Sequence, residues 1–153
     1  MKKILTIIFT LLLGLTPINT FALENNVESR TIEYLGDGIY VETTIESPSI
    51  STYATNTVTK TKTNKYKDSS GAILYTVSIT GTFKYTGTSS TCTNATVQAT
   101  APASRWEVFS KSASKSGNKA TGKATVKQYY DGTVIQTQYP SVTLTCSATG
   151  VLS

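Results

Sequence analysis

From Tyr75 to Tyr85 the chain alternates with a period of two. Tyr75, Val77, Ile79, Phe83 and Tyr85 fall on one side, and Thr76, Ser78, Thr80, Thr82 and Lys84 on the other. Alternation of this length specifies a strand with one buried face. Gly81 interrupts the apolar row and marks a bulge or a close neighbour. A second clean alternation covers Lys119 to Tyr130, where Ala120, Gly122, Ala124 and Val126 point one way and Lys119, Lys123 and Lys127 the other. Asp131-Gly132 then signals a two-residue hairpin turn. The returning strand, Thr133 to Ser147, places Val142, Leu144 and Cys146 on one face, with a kink at Pro140.

The rest of the chain follows the same plan. Thr31 to Leu35 and Ile39 to Glu46 flank Gly36-Asp37-Gly38 as a first hairpin, and Ser47-Pro48-Ser49 reads as a linker. Thr55 to Lys67 ends at the turn Asp68-Ser69-Ser70-Gly71, and Gly87 to Ser90 turns into Thr91 to Thr100. Thr, Val and Tyr recur throughout, as suits strands. Short strands with turns at this spacing predict an all-β fold, an antiparallel β-sandwich of immunoglobulin-like or other Greek-key order. Trp106 after Cys92 fits an immunoglobulin domain, but Leu144 stands where its corner Tyr would be. Residues 105–115 carry two signals. Ser104 to Glu107 matches a helix capping box, with Trp106, Phe109 and Ala113 at helical spacing. The serine-rich run after them forms helices poorly, so a strand with a core Trp is the preferred reading.

The N-terminus addresses the chain. Lys2 and Lys3 precede an apolar run from Ile4 to Leu15, and Thr20 and Ala22 supply small residues for a cut after Ala22. This is the pattern of a secretory signal peptide over 1–22, too short to span a bilayer. The expected product is soluble and extracellular, without a membrane span. Its residues 23–50 carry Glu24, Glu28, Glu33, Asp37, Glu42 and Glu46 against Arg30 alone. Over 51–153 lysines dominate, so the first stretch reads as an acidic hairpin or a removable pro-segment and the second as a basic β-sandwich domain.

In an oxidising compartment Cys92 and Cys146 are expected to form one disulfide. Closing that loop of about 54 residues would stabilise the fold by roughly 4 kcal/mol in the chain-entropy picture. The chain has no His, which removes the usual general base near neutral pH. Asp68 and Asp131 sit in turns, Glu107 has no evident carboxylate partner, and no phosphate loop, nucleophile elbow or metal motif occurs. A non-enzyme without cofactor or metal is therefore expected.

Binding is better motivated. Lys60, Lys62, Lys65 and Lys67 crowd one strand, and Lys111, Lys115, Lys119, Lys123 and Lys127 line the second hairpin. Of these, Lys60, Lys62, Lys65, Lys67, Lys119, Lys123 and Lys127 are the candidate anion-binding residues, for an anionic cell-wall polymer or a glycan. Strand lysines also serve simply to keep sheet edges from pairing. A protein partner fits equally; nucleic acid does not, given export and few stacking aromatics beside the lysines. The chain has nine tyrosines; Tyr129 and Tyr130, before the Asp131-Gly132 turn, could stack on sugars, although such residues often fill sheets. Asn94-Ala95-Thr96 matches a glycosylation acceptor, but the signal has a bacterial character.

Ser110 to Thr121, Val142 to Gly150, Arg30 to Tyr34 and Lys84 to Gly87 together resemble small secreted proteins of unknown function from Gram-positive bacteria. That resemblance covers most of the exported part, implies secretion and the Cys pair, and transfers no active residue. Two functions stay open: a secreted binding or cell-surface interaction protein, and a secreted effector, toxin or enzyme inhibitor, with a removable acidic segment.

Overall fold

The computed structural model describes residues 26–47 and 56–153. The expected signal peptide, its cleavage site and most of the Pro48 linker lie outside the described residues. Nine strands are present: β1 (Asn26–Gly36), β2 (Ile39–Ser47), β3 (Thr57–Lys67), β4 (Ile73–Tyr85), β5 (Ser90–Thr100), β6 (Trp106–Ser116), β7 (Lys119–Tyr130), β8 (Thr133–Gln138) and β9 (Ser141–Thr145). All described pairings are antiparallel.

Strands β1 to β5 form one sheet in sequence order. In the second sheet β6 pairs with β7, and β8 and β9 pair with successive stretches of the other edge of β7. Pro140, whose carbonyl accepts the amide of Ala124 at 3.0 Å, stands at the break between them. The first sheet is a plain meander; in the second, β9 returns past β8 to the same edge of β7. Among the described residues neither sheet has the immunoglobulin-like or other Greek-key strand order, and that part of the expectation is corrected. Strand patterns fix which face is buried but not which neighbour a strand chooses.

The two sheets pack as a sandwich, with β7 crossing β4 and β5, and β9 crossing β4 and β3. The core is the inner row of β4, with Val77, Ile79 and Phe83 fully buried, against Ala120, Val126 and Leu144. Full burial of each large apolar side chain contributes roughly 1.5–3 kcal/mol. Small residues on β7 bring the sheets close. A Cβ on Gly122 would lie 2.9 Å from Val97 Cγ2 and 3.3 Å from Ile79 Cβ. At one end, Tyr66 stacks on Tyr75 at 4.5 Å between ring centroids, and Tyr75 meets Trp106 at 4.9 Å with the rings tilted by 44°.

Residues 106–116 are a strand, as preferred from the sequence, and the register explains the competing helical spacing. Val108 pairs with Val126 but Ser110 with Thr125, so Phe109 is an extra residue that shifts the inward parity. Asp37 at φ 49° and Gly38 at φ 73° make the turn between β1 and β2. Asp68 caps the β3–β4 turn by accepting hydrogen bonds from the amides of Ser70 and Ala72.

The expected disulfide is absent: Cys92 and Cys146 are both free, buried thiols. Cys92 is out of step with Val97 because Thr93 is a bulge residue, Thr82 pairing with Asn94 and Phe83 with Cys92. Each thiol turns to a carbonyl near it in sequence, Cys92 to that of Asn94 on β5 at 3.2 Å and Cys146, just past β9, to that of Ser147 at 3.4 Å. Burial pushes both thiols above their ordinary pKa, which disfavours the reactive thiolate. The β6–β7 turn ties this end together instead. The carbonyl of Gly117 accepts the Cys92 amide at 2.7 Å, and that of Asn118 accepts the Cys146 amide at 3.0 Å.

Candidate polyanion-binding face

The lysines of β3 do not form one surface. Lys60 lies opposite Gly81 and Lys62 opposite Ile79, on the inner face of the sheet, while Lys65 opposite Thr76 is on the outer face with Lys67. Two of the four are occupied within the chain, since Lys60 pairs with Glu28 and Lys67 donates to Glu42 at 2.7 Å. Because β3 lies between β2 and β4, these lysines do not guard an edge either. They offset the acidic hairpin.

Glu42 is the centre of that arrangement. It is 7% exposed and takes Lys67 and, at 2.9 Å, Arg30 on the same carboxylate oxygen. The hydrogen bond from Lys67 above all, with that from Arg30, outweighs burial and holds the carboxyl below its ordinary pKa of 4.5. A depressed carboxylate pKa adds stability that is complete above the unfolded value and is lost as pH falls through the folded one. Urea midpoints measured from neutral pH downward should therefore stay level to about pH 5 and fall below it. Glu42→Gln should flatten that fall; an unchanged acid limb would show that the ion pair is not its source.

The lysines of β7 are placed differently. Lys119, Lys123 and Lys127 share the outer face of the second sheet, every fourth residue along a strand and so about 13 Å apart. Lys119 and Lys123 are exposed, and among the described residues none of the three is in an ion pair. Hydroxyl side chains flank the row on both neighbouring strands: Ser112, Ser114 and Ser116 on β6, and Ser141, Thr143 and Thr145 on β9. Lys127 extends over the Phe109 ring, 3.5 Å from its centroid. That contact holds the ammonium in place without neutralising it. Phe109 is 63% exposed, on the outward side of the alternation that turns Trp106 and Val108 inward.

Lys111 and Lys115 lie on the same strand pair but serve the fold. Lys111 donates to Gln98 Oε1 at 3.1 Å and Lys115 to the carbonyl of Thr93 at 2.7 Å, both reaching across to β5. Glu107 sits opposite Lys127 and beside Tyr129, whose phenol is pushed upward by desolvation first and by that carboxylate second. Among the described residues no group of three metal-ligating side chains occurs, and no helix is long and apolar enough to cross a membrane.

No known protein family, curated protein or solved structure matches this chain. The face is therefore read from its own chemistry: a line of three cations outside any ion pair among the described residues, which suits an extended anion better than a compact one. Lys119 and Lys123 are set among hydroxyls, and Lys127 is held over Phe109 opposite Glu107. Sequence reading placed the three β7 lysines on one side but missed Phe109. Its signal was there, since Val108-Phe109 puts two apolar residues side by side in an otherwise alternating strand.

Proposed function

We propose that this is a secreted, non-catalytic binding protein that holds an anionic polymer, of cell wall or glycan origin, on the outer face of its second sheet. The observation that carries the proposal is the row Lys119, Lys123, Lys127, free of ion pairs among the described residues and bordered by hydroxyls at Lys119 and Lys123. Each lysine near an anionic surface contributes on the order of 1 kcal/mol. Secretion enters from the basic and apolar N-terminal pattern. The non-catalytic reading is supported by the surroundings of Glu107, a lysine and a tyrosine rather than a second carboxylate.

The test is retention on an immobilised polyanion. The native protein should bind at low ionic strength and elute as salt rises. Substituting Lys119, Lys123 and Lys127 together by Gln should weaken binding about a hundredfold. The matched substitution of Lys60, Lys62, Lys65 and Lys67 should change it far less. Retention that survives the β7 substitutions would overturn the assignment of this face.

A further inference from the structure

The β7 row runs into a cleft at the strand's C-terminal end. Its cavity of about 430 Å³ is lined by Ser104, Arg105, Tyr129, Tyr130, Asp131 and Gly132. Tyr129, in the cleft wall, follows Lys127 on the same outward parity of β7, which sets the cleft at the end of the row. We infer that this cleft seats one pyranose ring of an acidic sugar. The inference deepens the polyanion reading by naming the repeating unit, and rests on that reading for the charge of the polymer.

Three features argue for a sugar rather than a bare anion. The cleft combines two aromatic side chains, a guanidinium, a carboxylate and a hydroxyl. A pyranose offers an apolar face to a ring and hydroxyls to both donors and acceptors, whereas a simple anion has no use for Tyr130 or for a carboxylate. Arg105 lies 5.3 Å from the Tyr130 ring centroid, and the residue is still 58% exposed. The guanidinium therefore braces one side and leaves ring surface for a ligand. Among the described residues neither Arg105 nor Asp131 is in an ion pair. Arg105 is thus free to take a sugar carboxylate in a two-pronged hydrogen bond, and Asp131 to accept from sugar hydroxyls.

The backbone of the walls is fixed before a ligand arrives. The Tyr129 amide donates to the Arg105 carbonyl at 2.7 Å, and the Trp106 amide to that of Ala103 at 2.9 Å. Asp131 at φ 48° and Gly132 at φ 73° form a tight hairpin turn. The backbone that carries these side chains is held by strand and turn hydrogen bonding and not by loops that must order on binding.

Two probes separate the cleft from the row: a short oligogalacturonate, and linear polyphosphate of matched charge, which has no ring. Titrations of the full secreted chain can be followed by the fluorescence of Trp106, its one tryptophan, next to Arg105, and by calorimetry. Tyr130→Ala and Arg105→Gln should each weaken oligogalacturonate about tenfold and leave polyphosphate binding unchanged, with thermal unfolding intact. Tyr130→Trp should keep the sugar affinity. Equal losses for both probes, or none for either, would overturn the ring site. If polyphosphate binds and oligogalacturonate does not, the ring site fails alone. If the sugar binds regardless of the β7 lysines but needs Tyr130, the row fails and the ring site stands; if neither probe binds, both fall.

Discussion

A chain shortened to begin at Ser51, and so without β1 and β2, should lose most or all of its cooperative folding. The acidic stretch supplies Val41 and Ile45 to the core, each 7% exposed, and their burial contributes roughly 1.5–3 kcal/mol apiece. Against a total stability of typically 5–15 kcal/mol that loss is a large share. Removing β2 also strips β3 of the partner paired with it from Thr61 to Lys67, and Lys60 and Lys67 of their carboxylates. Tyr66, stacked on Tyr75, would lose its neighbour Val41. Urea titration followed by circular dichroism should show a midpoint lowered severely or no transition at all. A shortened chain as stable as the full one would restore the idea that residues 23–50 are a removable segment. An unstable one leaves them as structural strands whose acidity balances the lysines of β3.

What could be read in the sequence was parity, and what could not was partnership. The inner row of β4 was plain from alternation, and the step between Cys92 and Val97 announced the bulge at Thr93. Parity also separates Lys60 and Lys62 from Lys65 and Lys67, because one odd step lies between them. Their pairing with Glu28 and Glu42 was not legible, since it depends on the registers of β1 with β2 and of β2 with β3. The cysteines show the same limit. An oxidising compartment makes a bridge reasonable, yet the direction of each thiol is set by a local bulge and by the end of β9. At the candidate site, the aromatic pair before Asp131-Gly132 was visible. Arg105 was not, because the β5–β6 connection that carries it is placed by the Tyr129 amide, distant in sequence.

The same distinction sharpens at Gly81, where sequence allowed a bulge or a close neighbour and the structure has the neighbour. A Cβ there would lie 2.5 Å from Phe83 Cε2, 2.7 Å from Phe83 Cζ and 3.0 Å from Ala120 Cβ. The Phe83 ring lies over the glycine and beneath β7, fully buried. Gly81→Ala should therefore destabilise by about 1–3 kcal/mol through overpacking. Phe83→Ala, which empties the same space, should cost about 3–5 kcal/mol. The two substitutions should not add. Once the ring is gone, most of the clash for the new methyl disappears and part of the cavity is filled, so the double variant should be more stable than the sum implies by about 0.5–3 kcal/mol. Strict additivity in a urea double-mutant cycle would mean that the ring does not occupy the glycine's space, and would remove the reason that this strand carries a glycine in the middle of its buried face.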